Sequence, residues 1–316
     1  MAVLGFVGIS CGLYFANSLE KRVHRTDPFN AVTGGRPAKM VKGAMNILLI
    51  GSDSREPGED PGVVGDRSDS LSIAHIDKQH HKVYITSIPR DTWVYVPRDK
   101  SGNGGRYAKI NAANSWGGLS LAISTVERFT GVKIDHVLKI DFAGFKKVVN
   151  KLDGVDVQVD KTVTDPRSKR VFTQGMNHLN GDAALDYVRQ RYGLPRGDFD
   201  RIQRQHIFLR AVMTKATDTG TLTNPGKMKA FLEAAADSVT ADRKFSLTDT
   251  AVQLRNIRSE DITFITMPVS GTETKGGQSV VIANMGASSN LFHSIVRDDM
   301  PNWLSKNPVG NAVTGN

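Results

Sequence analysis

Short apolar runs mark the strands that the sequence predicts in the first part of the chain. Three of them are rich in β-branched residues and follow one another closely, over Ile47–Ile50, Leu71–Ile76 and Val83–Ile88. Each run is bounded by Gly, Pro, Asp or Ser, which is typical of short buried strands. His136–Ile140 predicts a further strand, and the alternation of apolar and polar residues in Val155–Val159 predicts a half-buried one.

Apolar residues at helical spacing and local capping signals predict the helices. Leu119–Thr130 repeats apolar residues every three or four positions, and Gly131 after it is a suitable C-cap. Ser246 and Asp249 resemble the start of a capping box, and Pro225 is favourable in a first turn. The predicted helices are Leu119–Thr130, Phe142–Leu152, Asp200–Ala216, Pro225–Val239, Ser246–Ile257 and Ser289–Val296.

The mixture of these elements predicts the fold class. Two late strands are predicted over Ile262–Val269 and Ser279–Ala283, and Val96–Tyr107 predicts an exposed loop. Strands that alternate with helices along one chain indicate a layered α/β domain.

The chain divides into four predicted segments. Residues 1–18 predict a membrane-anchor helix, because Met1–Ala16 contains no charged residue. This stretch is shorter than the ~20 residues that span a bilayer, so we expect the helix to be truncated. A buried N-terminal helix is the alternative. Residues 19–43 are basic and polar and predict a linker, residues 44–300 predict a single domain, and residues 301–316 predict a flexible tail.

Net charge and cysteine content narrow the classes of partner. The formal net charge is +9, which suits nucleic acid, an anionic membrane surface or a phosphorylated substrate. Nucleic-acid recognition usually interleaves aromatic residues or uses a recognisable module. The sequence has no such module, so we expect no nucleic-acid partner. Cys11 is the single cysteine, which excludes an internal disulfide.

Charged residues cluster at the ends of the first three predicted strands. They alternate carboxylates with guanidinium groups: Asp53, Arg55, Asp66, Arg67, Asp69, Arg90 and Asp91. Such a set is costly to gather unless a ligand bridges it. A divalent cation suits the carboxylates, and a phosphorylated ligand suits the arginines. Loops at strand ends are also where α/β proteins place their sites. Solvated surface ion pairs are the alternative interpretation.

A second charged cluster, Asp186–Arg210, contains six arginines and three aspartates. Glycine and proline residues in its middle predict a bend between an extended part and a helix. The spacing then presents side chains from both parts towards one point: Arg189, Arg191, Arg201 and Gln205. The planar guanidinium binds phosphate oxygens through two hydrogen bonds and keeps its charge, so the pattern favours a phosphate site. A solvated basic helix is the alternative.

Taken together, five motifs in this order resemble the LytR–CpsA–Psr family of bacterial cell-wall phosphotransferases. The matching segments are Asn46–Arg55, Asp66–Ser70, Ser87–Asp91, Lys109–Ala113 and Tyr187–Arg191, followed by Asp198, Arg201 and Gln205. One such motif alone is a weak signal, whereas five in order are specific. The resemblance covers roughly Ala44 to Asp299. It implies an α-β-α domain, in which a mixed central sheet is flanked by helices and an apolar pocket holds a polyprenyl chain.

The resemblance also implies a reaction and a location. A glycopolymer passes from a polyprenyl-pyrophosphate donor to a hydroxyl of the peptidoglycan acceptor, and polyprenyl monophosphate leaves. Members of the family are anchored in the cytoplasmic membrane by one N-terminal helix, with the catalytic domain outside the cytoplasm, and we expect the same arrangement here. The sequence does not choose among teichoic acid, capsule and arabinogalactan as the polymer.

The resemblance implies which residues form the site, because each of them stands at a position of a family motif. The resemblance implies that Asp53 and Asp69 hold Mg²⁺, or Mn²⁺ in its place. The implied pyrophosphate ligands are Arg67, Arg90, Lys109, Arg189, Arg191, Asp198, Arg201 and Gln205. The implied catalytic residues are Asp53, Asp69, Arg90 and Arg201. Either Asp53 or Asp69 can be the general base. Mg²⁺ and an arginine cage supply the alignment and charge neutralisation that phosphoryl transfer needs.

The sequence is also compatible with three other functions. A non-catalytic binder of polyprenyl pyrophosphate predicts lipid binding that survives the loss of Asp53 and Asp69. A pyrophosphate hydrolase uses water as the acceptor, and a DNA-binding regulator predicts affinity that falls steeply with salt. The lining of the apolar pocket is open too. Helical residues in Leu119–Phe129, Ile207–Val212 and Phe231–Val239 either line it or form ordinary core.

Overall fold

A computed structural model of the chain describes residues 17–32, 34–52, 68–216 and 224–308. The predicted anchor lies outside these ranges except for its last two residues. The charged residues of the first cluster that fall outside them are Asp53, Arg55, Asp66 and Arg67. Within the described ranges, no helix combines the length and the apolar character that crossing a membrane requires.

The strands of the described residues are β1 (His24–Thr26), β2 (Met45–Ser52), β3 (Ser68–Ile76), β4 (Val83–Ser87), β5 (Trp93–Val96), β6 (Arg106–Lys109), β7 (His136–Asp141), β8 (Val155–Val159), β9 (Val163–Thr164), β10 (Val171–Phe172), β11 (Gly175–Leu179), β12 (Val239–Asp242), β13 (Ile262–Thr266), β14 (Val269–Lys275) and β15 (Gln278–Ala283).

The helices of the described residues beyond β6 are α1 (Ala112–Thr130), α2 (Phe142–Lys151), α3 (Gly181–Arg189), α4 (Asp198–Ala216), α5 (Pro225–Asp237), α6 (Leu247–Gln253), α7 (Met285–Val296) and α8 (Met300–Lys306). Residues 17–22 are also helical. Short 3-10 turns cover Pro28–Ala31 and Ser259–Asp261.

Seven strands form the central sheet in the order β1-β12-β7-β2-β3-β4-β13. β3 runs antiparallel to β2 and β4, whereas β2–β7, β4–β13 and β1–β12 are parallel pairs. Helices pack on both faces of this mixed sheet. The predicted fold class, a mixed central sheet flanked by helices, is therefore confirmed.

Side-chain alternation in β2 builds the two apolar layers that cover the sheet. Leu48 and Ile50 are buried in a layer with α1, α7 and α8. Ile47 and Leu49 face the other side, in a layer that includes α5 and Phe245. Successive residues of a strand point to opposite faces, so a run of apolar residues is required where both faces are covered. This explains why β2 carries the continuous apolar run seen in the sequence.

Helix α1 begins earlier than its apolar repeat predicts. It starts at Ala112 and is interrupted at Gly117 and Gly118, where the φ of Gly118 is 61°. A positive φ is readily adopted by glycine only, so the helix continues past this kink without a steric penalty. The end agrees with the prediction, because Gly131 has a φ of 70° and its N–H donates to the carbonyl of Glu127.

Three predicted elements have different bounds in the structure, two of them because of strand pairing. Pro225–Val239 ends as a helix at Asp237, and Val239 instead starts β12 by pairing with Ile140 of β7. The helix predicted over Ser246–Ile257 ends at Gln253, although Ser246 caps it as expected. Ile262–Val269 divides into β13 and β14, which pair with different strands.

Two segments predicted to be loose contain regular structure. The predicted loop Val96–Tyr107 is not a loop throughout, because its first and last residues belong to the antiparallel hairpin of β5 and β6. In the predicted tail, residues 301–316, the first part belongs to α8, and Trp303 is buried there against the core. Burial of one large aromatic side chain outweighs the polar composition around it.

The predicted linker is attached to the domain along its length. β1 adds a parallel edge strand to the central sheet beside β12. Further on, the guanidinium of Arg36 binds both carboxylate oxygens of Glu127 and the carbonyl oxygen of Ile134. Glu127 is buried in α1 and also accepts from the N–H of Ile134 at 2.9 Å. The folded domain therefore includes residues before Ala44, where the sequence predicts its start.

This attachment predicts unequal effects of two substitutions in the same segment. Arg36→Ala leaves the buried carboxylate of Glu127 without its cation and should lower the free energy of unfolding by about 2–3 kcal/mol. Lys39 forms an exposed ion pair with Asp135 at 3.0 Å. Lys39→Ala should therefore change the same quantity by less than about 1 kcal/mol. Urea denaturation of both variants measures the difference, and equal effects would contradict the attachment.

Candidate functional site

One end of the central sheet gathers the described residues of both charged clusters. Asp69 lies near the start of β3, and Arg90 follows the end of β4. Because β3 is antiparallel to β2 and β4, the start of β3 meets the ends of its neighbours at the same edge. Helix α3 ends at Arg189, and α4 begins at Asp198 beside it. The site therefore lies where two strand ends meet a bend between helices.

Asp69 is held between two arginines. One of its carboxylate oxygens accepts a hydrogen bond from Nη1 of Arg90, and the other lies 3.5 Å from Nε of Arg189. Arg189 also stacks on the ring of Phe142, with its Cζ 4.2 Å from the ring centroid. Asp69 thus joins a residue that follows β4 to the last residue of α3.

Asp91 forms a second bridge. Its sequence position predicts the end of a strand but no specific role in the site. Its carboxylate lies 3.3 Å from Nζ of Lys109 and 3.4 Å from Nη1 of Arg191. Its carbonyl oxygen accepts from the N–H of Val281 at 2.9 Å, which fixes the backbone. Arg90 and Asp91 are adjacent, so one short segment supplies the cation of one bridge and the carboxylate of the next.

Asp198 and Arg201 form the deepest part of the cluster. Nη2 of Arg201 lies 2.7 Å from Oδ1 of Asp198, and Arg191 approaches the same oxygen at 3.9 Å. These are charge contacts, because the Asp198 oxygens have no aligned hydrogen bond among the described residues. Arg201 is only 3% exposed. Burial lowers the pKa of Arg201 to about 10, against the opposing effect of Asp198, so it stays charged at neutral pH.

The cluster has more positive than negative charge. Among the described residues, five cations, Arg90, Lys109, Arg189, Arg191 and Arg201, face the three carboxylates of Asp69, Asp91 and Asp198, an excess of two positive charges. Two buried guanidinium N–H groups, Nε of Arg90 and Nε of Arg201, have no hydrogen-bond partner within the described ranges. Unpaired buried donors with a surplus of positive charge suit an anion such as a phosphate.

Two other residues of the arginine-rich helix have partners outside this cluster. Gln205 donates from Nε2 to the carbonyl oxygen of Val188 at 3.2 Å, so its predicted contact with pyrophosphate stays a prediction. Arg204 is buried, bonds Gln190 at 2.6 Å and lies over the ring of Tyr187. Packing therefore explains Arg204 without a ligand.

Two cavities meet at the Asp69–Arg90 ion pair. A polar cleft of about 1100 Å³ contains Arg90 and extends past Asp91, Lys109, Arg191 and Asp198. An apolar cavity of about 290 Å³ contains Asp69 and Arg189 at its edge. Since the Asp69 carboxylate binds the Arg90 guanidinium, this ion pair lies on the boundary between the two cavities.

The apolar cavity draws its lining from only some of the predicted helices. Phe208 and Leu209 of the predicted Ile207–Val212 contribute, and so does Val239. Leu119–Phe129 instead packs on the opposite face of the sheet, with Leu121 and Ile123 in the core. The remaining apolar lining comes from strands β2, β4 and β7 and helices α2 and α3: Leu49, Ile50, Ile85, Leu138, Ile140, Phe142, Phe145, Leu185 and Val188.

A short polar chain interrupts this apolar lining. The hydroxyl groups of Ser72 and Ser87 are 3.0 Å apart, and the Ser87 hydroxyl is 2.8 Å from Nε2 of His206. Burial, and secondly the charge of Arg210, lower the pKa of His206 to about 4. The imidazole is therefore neutral at pH 7, and the cavity wall at this point carries no charge.

Asp69 is the described member of the predicted metal-binding pair. Among the described residues, no group of three or more His, Cys, Asp or Glu side chains is arranged to hold a metal ion. Asp53 lies outside the described ranges. The assignment of a metal to Asp53 and Asp69, and of the general base to one of them, stays a prediction.

The sequence profile of the LytR_cpsA_psr family matches residues 13–294. Cell wall biosynthesis protein LcpA of Corynebacterium glutamicum is 30% identical over 296 residues, which cover 82% of this chain and 57% of LcpA. A polyisoprenyl-teichoic acid–peptidoglycan teichoic acid transferase, TagU of Bacillus cereus, is 33% identical over 257 residues, or 78% of this chain and 80% of TagU. The chain thus spans little more than half the length of LcpA.

The fold is similar to that of a solved bacterial protein. The crystal structure of B. subtilis TagV superimposes with a TM-score of 0.66 at 28% sequence identity. The superposition covers 83% of this chain and 99% of TagV. The central sheet and its flanking helices are therefore shared.

Because His206 is buried in its neutral form, we expect the free energy of unfolding to fall in acid. The unfolded chain takes up this proton near pH 6.5 and the folded chain near pH 4, so the unfolded state binds more protons in between. The free energy of unfolding should therefore fall as the pH drops from 6.5 to 4, by up to about 3 kcal/mol from this group. Burial also lowers the pKa of His75, which adds an effect of the same sign.

Urea denaturation at a series of pH values tests this expectation. His206→Gln should flatten the pH dependence between 6.5 and 4, while His178→Gln, which changes an exposed histidine, should keep the wild-type dependence. An unchanged slope in His206→Gln would show that other groups cause the acid sensitivity.

Proposed function

This chain belongs to the LytR–CpsA–Psr family, and on that premise we propose that it attaches a glycopolymer to peptidoglycan through a phosphodiester bond. The polymer comes from a polyprenyl-pyrophosphate donor, and polyprenyl monophosphate is released. The observation that carries the proposal is the position of the Asp69–Arg90 ion pair between an apolar cavity and a polar cleft. A transferase that joins a lipid-linked pyrophosphate donor to a glycan acceptor needs apolar, anion-binding and polar surfaces side by side.

The names of the relatives support the same chemistry. TagU is named as a transferase that moves teichoic acid to peptidoglycan, and LcpA is named as a cell wall biosynthesis protein. The chain spans 57% of LcpA, so the function of the whole LcpA protein is carried over to this chain only as a proposal. Teichoic acid is one candidate polymer, and capsule and arabinogalactan polymers are others.

The apolar cavity suits the polyprenyl chain of the donor. Its walls are mostly aliphatic and aromatic, and burying an apolar chain there gains roughly 25 cal/mol for each Å² removed from water. Neutral His206 adds no charge that would oppose a hydrocarbon. Arg189 and Asp69 lie at the edge of the cavity, where the lipid ends and the pyrophosphate begins.

The cations of the boundary suit the pyrophosphate. Arg90, Arg189 and Arg201 come from three different segments and converge on the same carboxylate cluster. Their guanidinium groups present hydrogen-bond donors in a planar fork that matches phosphate oxygens. Because the surplus charge is fixed by the fold before substrate binds, it stabilises negative charge without further rearrangement. Arg67, which lies outside the described ranges, stays a predicted member of this set.

The proposed reaction is a phosphoryl transfer in which one P–O bond forms and one breaks. A peptidoglycan hydroxyl oxygen attacks the phosphorus that bears the glycopolymer, while the bond from this phosphorus to the bridging oxygen breaks. The bridging oxygen leaves on polyprenyl monophosphate, and a carboxylate accepts the hydroxyl proton, with Asp53 or Asp69 as the predicted acceptor. Arginines near the bridging oxygen offset the charge that develops as it leaves.

A divalent cation at Asp69 is part of the proposal. Mg²⁺ in proteins often binds one or two carboxylates together with phosphate oxygens of the substrate, and Asp69 offers such a carboxylate beside the anion site. Bound there with Asp53, Mg²⁺ or Mn²⁺ would neutralise charge on the pyrophosphate. Asp69 contacts two arginines, which hold its oxygens at the cavity edge.

The substrates also define the proposed location. Peptidoglycan lies outside the cytoplasmic membrane, and the lipid-linked donor lies in the membrane. We therefore propose that the domain works at the outer face of the cytoplasmic membrane, held by a single N-terminal helix.

Arg90→Ala tests the proposed centre. Purified full-length chain is incubated with a synthetic polyprenyl-pyrophosphate glycan and peptidoglycan oligomers, and the phosphodiester-linked product is measured by mass spectrometry. Loss of one preorganised charge contact should lower the rate by a factor of about 10²–10³. Arg243→Ala, which removes an exposed arginine paired with Asp27, should keep the wild-type rate. Thermal melting checks that both variants fold.

The products separate this proposal from its alternatives. Free glycan phosphate without attached product, in the presence of a competent acceptor, would indicate hydrolysis. Bound donor without turnover in any condition would indicate a binding protein.

Asp69→Asn tests the metal. Mn²⁺ binding in the presence of inorganic pyrophosphate, followed by calorimetry, should weaken by about tenfold or more when this carboxylate is removed. Asp186→Asn, which changes an aspartate paired with Arg170, should leave the affinity unchanged. Equal Mn²⁺ affinity in wild type and Asp69→Asn would exclude Asp69 as a metal ligand.

A further inference from the structure

The polar cleft is larger than a phosphate site requires. Its volume of about 1100 Å³ slightly exceeds the range for small-molecule pockets, roughly 300–1,000 Å³. The charged residues Arg90, Asp91, Lys109, Arg191 and Asp198 are only part of its lining. The rest of the cleft can therefore hold a further ligand besides the phosphate.

Aromatic side chains from separate elements line the remaining part. Tyr107 belongs to the β5–β6 hairpin and is 61% exposed, and Tyr192 follows α3 and is 69% exposed. Trp116 of α1 also lines the cleft and has the guanidinium of Arg106 4.3 Å from its ring centroid. Exposed aromatic rings in a cleft are costly to hydrate and are common at binding sites.

Each of the two tyrosine side chains contacts a neighbouring residue that restricts its motion. Tyr107 packs edge-to-face on Tyr95 with ring centroids 5.5 Å apart, and the guanidinium of Arg128 lies over Tyr95. The hydroxyl of Tyr192 accepts from Nη2 of Arg191 at 3.4 Å. These contacts limit the motion of the rings, so a ligand that stacks on them loses less entropy.

The polar groups of the cleft are those that recognise sugars. Amides and hydroxyls line it beside the aromatic rings: Asn103, Ser115, Thr272, Gln278 and Ser279. A sugar ring presents C–H groups on its faces and hydroxyl or acetamido groups around its edge. The faces suit aromatic rings, and the edges suit amides and hydroxyls.

We infer that this cleft is a glycan-binding subsite, in which Tyr107 and Tyr192 stack on sugar rings of a chain that ends at the Asp69–Arg90 ion pair. The inference rests on the proposed transferase function and names the substrate chemistry of one side of its site. The volume accommodates more than one sugar ring, so the ligand is an oligosaccharide or longer chain.

The direction of the reaction favours the acceptor glycan as the occupant. The attacking and leaving oxygens of a phosphoryl transfer lie roughly in line on opposite sides of phosphorus. If the polyprenyl phosphate leaves on the side of the apolar cavity, the incoming hydroxyl comes from the side of the polar cleft. The first sugars of the donor polymer are the second source of the same chemistry.

Kinetics with both substrates varied in turn distinguish the two sources. Tyr107→Ala and Tyr192→Ala should each raise the KM for peptidoglycan oligomers by about five- to tenfold, as expected for one lost stacking contact. The KM for the donor should stay unchanged. Tyr107→Phe and Tyr192→Phe keep the ring and should keep most of the affinity. Met176→Ala changes an exposed apolar residue outside the cleft and is the matched control.

The opposite pattern, a raised KM for the donor alone, supports the subsite and assigns it to the donor glycan. Unchanged KM values for both substrates in both alanine variants overturn the inference.

A titration without donor tests the subsite independently of transfer. Trp93 and Trp116 line the cleft, so binding of glycan oligomers that lack stem peptides should change intrinsic fluorescence. The Tyr107→Ala/Tyr192→Ala double variant should lose the change at the same glycan concentration. If the full-length chain transfers no polymer yet binds the glycan, the proposed reaction fails and the subsite stands. Binding of free stem peptide in place of glycan would overturn the subsite while leaving the transferase intact.

Discussion

The site depends on keeping several cations close together against their mutual repulsion. Arg90 is far in sequence from Arg189 and Arg201, and the fold brings the three together. Three carboxylates offset part of the repulsion, and burial of Arg201 makes the uncompensated part more costly than it would be in water. The surplus is tolerated because rigid elements, the ends of the central strands and the start of α4, fix the positions of the charges. An anion that binds there relieves the remaining repulsion, which links the affinity of the site to the stability of the sheet.

Local sequence patterns predict most of the core elements and fail where partners are distant. β2, β3 and β4 are evident from their apolar runs, because both faces of these central strands are covered. β1 has no comparable pattern: it is three residues long and exists through pairing with β12, more than two hundred positions later. The helix α8 likewise depends on burial of Trp303 against the core, and the local composition does not indicate that contact.

The same distinction applies to the site. Each charged cluster was predictable by itself, Asp69 and Arg90 from strand ends and Arg201 from the bend before its helix. Their meeting in one site was implied only by the family resemblance. The role of Asp91 was not predictable, since it depends on Lys109 and Arg191 lying on either side of it. Tyr107 and Tyr192 carry no local signal at all, because an exposed tyrosine becomes informative only when a cleft brings it beside another. Asp53 and Arg67, two predicted members of the site, belong to the matching motifs and lie outside the described ranges.

Sharing of carboxylates among the cations has a consequence for turnover. Asp69 contacts Arg90 and Arg189, Asp91 contacts Lys109 and Arg191, and Asp198 contacts Arg191 and Arg201. In the proposed reaction, each cation that lets go of a phosphate oxygen has an internal carboxylate to return to. The internal anions compete with the departing lipid phosphate and limit how long it is retained. A site of arginines alone would bind its product more tightly and release it more slowly, so in the proposed reaction these aspartates would favour product release.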